Sequence, residues 1–414
     1  MDDAEISALI AKGDERGALA ALRARLGWPR GRDLAPAELG RYLALFAELV
    51  ASQGHTEFAE LAAAGARDID SPDRLYDLGY TLIDAGVPTI GASVLWRCLA
   101  LVGESEEVVC ELMSALESAL AYRDALAILE QHPALRDRSF LCRYLYAFNA
   151  AMAGELAIVR KALPTLQPDS DDGVGMAASI AAIVERADRI AGVFTLDASD
   201  LRGWHYVLSG SLLAHHSPFG FDTPMRGRYG WLKDSVERIA FGLDRLVPLA
   251  RAVGAPCVYA PPGRSHEVVA TAVAARLDLP LAPWPAVGVP APGLVVLYDL
   301  RDLSADDAAR LTQRRPEQLV FAHAVGWTQD APIAPDVTTL LAQFVVPPWG
   351  ETPDATVETL AAELAASTPL AGDDLVPDAP DQWAALVAHT WPPPSTGRRS
   401  RLRAGGPVAS NRFE

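Results

Sequence analysis

Apolar and polar positions in the first part of the chain follow the pattern of short amphipathic helices separated by breaks. Leu39–Ala51 and Glu57–Ala66, for example, are two such stretches with Gly54 between them. Ser71 and Pro72 then have the residue types of an N-cap and a first helical position. The pattern predicts an all-α array of paired helices over residues 1–170, followed by a capping helix and linker over residues 171–200.

The best-matched helices repeat with a stride of 34 residues. The matched pairs are Leu78 and Leu112, Leu82 and Leu116, Gly91 and Ala125, and Leu95 and Leu129. This spacing, with a Leu-Gly pair in one helix and small residues in the next, resembles the tetratricopeptide repeat. The resemblance implies a helical solenoid with a concave surface that binds proteins or peptides. Candidate partner-binding residues are Tyr76, Tyr80, Arg97, Arg143 and Tyr144, although each equally suits a solvated helix surface.

The second part of the chain predicts an α/β domain over residues 201–366. Three apolar runs have the character of buried strands: Pro256–Ala260, Gly293–Asp299 and Gln318–Ala324. Helical patterns at His266–Leu277 and Ser304–Arg314 separate them. Strands that alternate with helices predict a mostly parallel sheet with right-handed crossovers. A further helix is predicted at Thr339–Phe344.

Polar residues follow each predicted strand, and ligands of parallel sheets bind beyond the carboxyl ends of the strands. The ligand-binding candidates there are Arg264, Ser265, Asp299, Asp302 and His323. The segment VVLYDLRDLSADD, which ends at Asp307, is similar to the diphosphate-sugar motif of type I phosphoribosyltransferases. It keeps the strand and the first acid, but Leu300 replaces the second acid and Asp302-Leu303-Ser304 replaces the phosphate loop. The resemblance implies a degenerate domain of that family, which would bind a small phosphorylated ligand.

The stretch Leu201–Asp234, here called the joint, combines aromatic, histidine and arginine residues between the two halves. It predicts a helix over Leu201–His215, a loop at Ser217–Asp222 and another helix from about Leu232 to Ala252. Candidate site residues are His205, His215, Arg226 and Arg228. The histidines suit structural roles, and the arginines suit either an anion site or contacts between the two halves. Adjacent residues of a helix point about 100° apart, so His215 and His216 predict no shared metal ion.

Composition narrows the classes of partner. The formal charge of −17 argues against nucleic acid and anionic membranes as partners. No run of about 18 apolar residues predicts a membrane span, and the acidic start of the chain lacks the pattern of a signal peptide. Four cysteines without metal-ligand spacing indicate reduced thiols, so we expect a cytoplasmic protein without metal or cofactor. Only three of the 36 basic residues are lysines, which is typical of a GC-rich bacterial genome.

Residues 367–414 predict an acidic loop, a short helix at Gln382–His389 and a basic tail. The tail from Ser395 has five arginines and one acid without apolar periodicity, which is typical of a flexible segment. Docking of this tail on the acidic body of its own chain or of a neighbour is the alternative.

Together these patterns favour a non-catalytic adaptor or scaffold that binds a protein partner through its helical array. The alternative is a sensor of nucleotides or sugar phosphates, or a transferase-like enzyme, that uses the strand-end candidates.

Overall fold

The structure is a computed structural model that describes residues 2–168, 170–219, 225–372 and 381–410. Contacts within the chain define two compact units, Met1–Ile180 and Ala181–Glu414. We call them the helical unit and the α/β unit. The boundary falls later than the end of the array predicted at residue 170. The predicted loop at 217–222 and the predicted acidic loop at 367–380 lie partly outside the described residues.

The helical unit consists of successive helices joined by short breaks. Its helices are α1 (Asp3–Ala11), α2 (Glu15–Leu26), α3 (Pro36–Ser52), α4 (Thr56–Arg67), α5 (Pro72–Asp84), α6 (Pro88–Val102), α7 (Glu106–Ser118), α8 (Tyr122–Gln131), α9 (Pro133–Arg138), α10 (Phe140–Met152), α11 (Leu156–Ala162) and α12 (Asp171–Arg189), the last of which crosses the boundary between the units. Ser71 precedes Pro72 at the start of α5, as the sequence predicts. The predicted helical first part is therefore confirmed.

Helices of this unit pack mainly against their neighbours in the chain. Each of α3 and α5 packs along the helix that follows it, and α5 also contacts α7, which in turn contacts α10. A close approach lies within the pair α5 and α6, where a Cβ atom added to Gly79 would lie 2.5 Å from Cγ of Leu95. Glycine at this position therefore allows the two helices to pack closely.

The α/β unit is built from short helices and seven strands of the described chain. Its elements are α13 (Leu201–Ser209), β1 (Leu212–Leu213), β2 (Tyr229–Lys233), α14 (Val236–Val253), β3 (Val258–Tyr259), α15 (Arg264–Leu277), β4 (Leu281–Ala282), β5 (Gly293–Asp299), α16 (Ala305–Arg310), β6 (Gln318–Val325), β7 (Val337–Val346), α17 (Val357–Ala366) and α18 (Gln382–Thr390).

All strand pairs of the sheet are parallel, in the order β1, β7, β6, β5, β3, β4. The short strands β1 and β2 both pair with β7, β1 with its first residues and β2 with its last. Strands β5 and β6 are buried along their whole length. The predicted parallel sheet is thus confirmed, and its carboxyl edge gathers the residues that follow β2, β3, β5 and β6.

Three local predictions are wrong. The helix predicted from about Leu232 begins at Val236, because Tyr229–Lys233 form strand β2. Thr339–Phe344 is the middle of strand β7 and not a helix. Its β-branched and apolar residues are paired with β6 along one side, and this long-range pairing overrides the local preference of Leu340, Leu341 and Ala342 for a helix. The helix predicted to reach His215 ends at Ser209, because Gly210 adopts a left-handed conformation with φ of 74°.

The basic segment after Ser395 differs from the flexible tail expected from composition. Arg399 is fully buried and forms an ion pair with Asp336, with Nη1 2.6 Å from Oδ2. Leu402 pairs with Ala331 in a β-bridge, and Arg403 contacts Asp330. Asp336, a buried carboxylate just before β7, is therefore the partner that fixes Arg399 in place. Composition alone does not reveal this partner. Helix α18 lies where the sequence predicts it.

Within the described residues, no helix has both the length and the apolar character that a membrane span requires.

Candidate functional site

The strand-end candidates lie at one edge of the sheet, but each is held by contacts within the protein. The guanidinium group of Arg264 donates to the carbonyl oxygens of Thr352 and Ala355 at 3.1 and 2.7 Å. The hydroxyl group of Ser265 accepts a hydrogen bond from Nε1 of Trp349 at 3.0 Å. Both side chains therefore fix the segment before α17 against the start of α15.

The two acidic candidates are close neighbours. Asp299 accepts hydrogen bonds from the backbone and the side chain of Arg301 and forms an ion pair with it. Burial raises the pKa of Asp302, and the negative charge of Asp299 raises it further. A phosphate at this edge would meet two carboxylates and one arginine that is already paired.

Two buried aromatic rings fill the space between the remaining candidates. The ring of Tyr298 stacks on that of His323, with centroids 5.6 Å apart. The ring of Trp349 also packs against Tyr298, with centroids 5.4 Å apart. Because Trp349 also contacts Ser265, these rings separate Ser265 from His323. The sequence therefore predicts the shared edge correctly, whereas the structure places side chains where a ligand would lie.

His323 belongs to a buried polar network that the sequence does not indicate. Its Nε2 atom lies 2.9 Å from Oδ2 of Asp234, and the same oxygen accepts a hydrogen bond from the hydroxyl group of Tyr298 at 3.1 Å. Burial opposes ionisation of Asp234, but the charge and hydrogen bond of His323 and the charge of Arg238 outweigh it, so the net pKa of Asp234 is lowered. Asp234 is thus a buried carboxylate with strong partners.

The two histidine candidates of the joint, His205 and His215, are buried in the interior of the α/β unit. Nε2 of His215 lies 2.8 Å from the hydroxyl oxygen of Tyr229, and burial together with Arg238 lowers the pKa of His215 to about 3. Burial and the charge of Arg228 lower the pKa of His205 to about 3. Both histidines are therefore neutral at physiological pH, as structural histidines are.

The two joint arginines differ in environment. Arg228 is buried, donates to the carbonyl oxygen of Val408 at 3.2 Å and lies over the ring of Trp327. It therefore helps to hold the C-terminal segment on the α/β unit. Arg226 is exposed.

One group of potential metal ligands is found among the described residues. Glu106 and Cys110 of α7 and Cys142 of α10 bring one ligand atom each to within 4.8 Å of one another. A hydrogen bond between the two thiols raises the pKa of Cys110 and lowers that of Cys142. The sequence misses this group because its members are far apart in the chain. Three donors are fewer than the four of a structural zinc site, so we assign no ion to it.

Three of the candidates for partner binding contact other residues of the helical unit. Arg97 forms an ion pair with Asp70. Arg143 donates to the carbonyl oxygen of Asp137 at 2.7 Å. Tyr144 stacks on Phe148 with centroids 5.9 Å apart.

Tyr76 and Tyr80 lie on α5 among acidic residues. The side chain of Tyr80 is exposed, with 49% of its surface accessible, and Tyr76 is partly buried. Burial raises the pKa of Tyr76, and so do the negative charges of Glu111 and Glu107 on α7. Burial also raises the pKa of Glu111, as does the charge of Asp84 on α5. These five residues form a continuous electrostatic cluster, which we call the acidic tyrosine face.

Comparisons of the chain with protein-family models, with curated proteins and with solved structures find no match.

Proposed function

We propose that the helical unit is a tetratricopeptide-like binding module, and that the chain is a non-catalytic adaptor that holds a cationic segment of a partner protein. The acidic tyrosine face is the surface that we assign to this segment. The location that we propose is the cytoplasm, because all four thiols are free.

The repeat supports the first half of this proposal. Positions that are 34 residues apart in the sequence have the same burial: Leu78 and Leu112, Leu82 and Leu116, and Leu95 and Leu129 are all fully buried. Gly79 lies in the close contact of its helix pair, where a tetratricopeptide repeat has a small residue. Equal environments at a constant stride are what stacked repeats produce.

The observation that carries the second half is the concentration of negative charge around two tyrosines. Residues 1–180 contain 27 acidic and 16 basic side chains, so the helical unit is acidic as a whole. At the acidic tyrosine face, burial is the larger cause of the raised pKa values of Tyr76 and Glu111. The charges of Glu111 and Glu107 raise the pKa of Tyr76 further, and the charge of Asp84 raises that of Glu111. A lysine or arginine of a partner would lower the repulsion between these carboxylates, and its charge would lie near tyrosine rings that favour cations.

The alternative of sugar-phosphate binding at the strand ends has less support. Arg264 is engaged by two carbonyl groups, and the carboxylates of Asp299 and Asp302 add negative charge at this edge. The network around His323 is buried without exposed surface at either His323 or Asp234. No reaction is therefore part of the proposal.

Peptide binding to the full chain tests the proposal. Fluorescence anisotropy would be measured with a labelled peptide of alternating arginine and alanine, and with a matched peptide in which glutamate replaces arginine. We expect only the cationic peptide to bind, and its affinity to fall as salt is raised.

A double variant locates the binding surface. E107Q/E111Q is expected to weaken binding of the cationic peptide by about tenfold, which corresponds to about 1.4 kcal/mol. The control E57Q/E60Q removes the same charge from exposed positions of α4 and should bind as the parent chain does. Equal losses in both variants would point to a diffuse charge effect, and unchanged binding by E107Q/E111Q would refute the assigned surface.

A further inference from the structure

A second feature of the α/β unit is a pocket at the amino-terminal edge of the sheet, opposite to the strand-end candidates. It lies beside the first residue of β1 and beside Asp336, which immediately precedes β7. Residues 390–400 form one wall, and the last turns of α12 form another. The cavity has a volume of about 130 Å³.

The pocket has more positive than negative side chains. Arg186, Arg189, Arg314 and Arg398 line it, together with the two acids Glu185 and Asp336. Asp336 is shared by Arg314 and by the buried Arg399, and Glu185 pairs with Arg189 at 2.7 Å. Five arginines thus surround two carboxylates, in a chain whose acidic residues outnumber its basic ones.

Two of these arginines have no carboxylate partner. Nε and Nη2 of Arg186 donate to the carbonyl oxygens of Val207 and Leu208 at 2.7 and 3.1 Å, and Nη1 donates to the hydroxyl group of Ser400. The exposed side chain of Arg398 makes no hydrogen bond or ion pair with the residues that the structure describes. Neither Arg186 nor Arg398 therefore forms an ion pair within this part of the protein.

The guanidinium groups in the pocket repel one another. Burial lowers the pKa of Arg186 to about 10, and the charges of Arg314 and Arg189 lower it while Tyr206 and Glu185 oppose the change. An anion in the pocket would reverse this effect, because a negative charge stabilises each guanidinium group.

An uncharged hydrogen-bond donor in the pocket wall also lacks an acceptor in the described part of the chain. The indole N–H of Trp391, a residue of the pocket wall, is buried and has no acceptor among the described residues. Tyr206, another wall residue, lies close enough to Arg189 for the two side chains to interact. A buried donor without an acceptor is costly, so a ligand with several acceptor oxygens would stabilise this arrangement.

We propose that this pocket binds a small anion of the phosphate class, either inorganic phosphate or a short phosphate monoester. Phosphate has more acceptor oxygens and more charge than a carboxylate, and arginine binds it through two parallel hydrogen bonds. The volume of about 130 Å³ is well below the 300–1,000 Å³ that is typical of sites for drug-sized ligands, which favours a small anion over a nucleotide as the occupant.

Calorimetric titration of the full chain with inorganic phosphate, at constant ionic strength set with chloride, tests the proposal. We expect saturable binding and a rise in the melting temperature with phosphate concentration, since a ligand of the folded state stabilises it by mass action. Acetate titrated in parallel is expected to bind more weakly. Absence of heat and of a melting shift with phosphate would overturn the proposal, and so would tighter binding of acetate.

Variants of two peripheral arginines test the location. R189Q/R398Q is expected to raise the dissociation constant for phosphate at least about tenfold, because each lost guanidinium group removes a charged hydrogen bond. Both residues are exposed, so the fold should persist, as circular dichroism would verify. The control R226Q/R251Q removes two exposed arginines elsewhere in the α/β unit and should bind phosphate as the parent chain does. Unchanged affinity in R189Q/R398Q would refute the assigned pocket.

Discussion

Nε2 of His323 lies 2.9 Å from Oδ2 of Asp234, and both side chains are fully buried although 89 residues separate them in the chain. This contact joins β6 to the residue that follows β2, across the intervening strand β7. Arg238 and the backbone of Ser235 bind the other carboxylate oxygen. The contact therefore holds the carboxyl edge of the sheet against the start of α14.

Removal of this buried carboxylate should destabilise the chain strongly. Asp234→Ala leaves His323, Tyr298 and Arg238 without their common partner, and loss of one member of a buried pair costs about 3–5 kcal/mol. Urea unfolding followed by circular dichroism measures the change. Glu237→Ala, an exposed acid three residues further on in the first turn of α14, is the matched control and should lie within about 0.5 kcal/mol of the parent chain. Similar stabilities for both variants would show that the network is not structural.

Arg399 should contribute to stability although it lies in a segment without apolar periodicity. Arg399→Ala leaves Asp336 with only Arg314 as an ionic partner, and we expect a loss of about 3–5 kcal/mol in the free energy of unfolding. Arg401→Ala removes an exposed arginine two residues away and is expected to have little effect. Truncation at Ser395 should reproduce the loss, and a truncated chain as stable as the parent would contradict the docked segment.

The stability of the α/β unit should decline in acid. The net pKa values of Asp234 and Asp336 are lowered, because their basic partners outweigh the opposing effect of burial. Their stabilisation is complete above the unfolded-state pKa of about 3.9 and is lost as the pH falls through the folded-state values. The difference in unfolding free energy between the parent chain and Asp234→Ala should therefore shrink below about pH 4. A difference that stays constant in acid would exclude ionised Asp234 as its source.

Two glycine substitutions should have opposite effects in the helical unit. Gly79→Ala places a methyl group 2.5 Å from Cγ of Leu95, and such overpacking costs about 1–3 kcal/mol. Gly175→Ala in α12 meets no atom within 4 Å and should stabilise the helix by up to about 1 kcal/mol. Thermal unfolding of both variants measures the contrast. If Gly79→Ala were as stable as Gly175→Ala, the close approach of α5 and α6 would be refuted.

The sequence predicts the elements that have a strong local signal. Gly293–Asp299 is apolar up to its last two residues and is a strand, and the helix pairs of the first part have clear breaks at glycine and proline. Strand β7 is missed because a short apolar run that contains Leu340, Leu341 and Ala342 suits a helix as well as a strand. Only pairing with β6 and β2, which is a long-range contact, decides between them.

The sequence likewise predicts only part of the candidate site. Polar residues at strand ends come together because parallel strands share an edge, and the sequence predicts this for Asp299 and His323. It does not predict that Trp349, which contacts Ser265, and Tyr298, which stacks on His323, separate Ser265 from His323. The pocket lined by Arg186 and Arg398 has no local sequence motif either, because only the fold brings these two residues together. An excess of arginine after residue 395 in an acidic chain is the one signal that points to it.

The ion pair of Asp336 sets an order of events during protein synthesis. Arg314 and Asp336 leave the ribosome first, whereas Arg399 follows 63 residues after Asp336. Until Arg399 has been synthesised, Asp336 has only one of its two ionic partners, so we expect the start of β7 to be less stable up to that point. We therefore expect this part of the chain to complete its folding after the helical unit, which emerges earlier and depends mainly on contacts between neighbours.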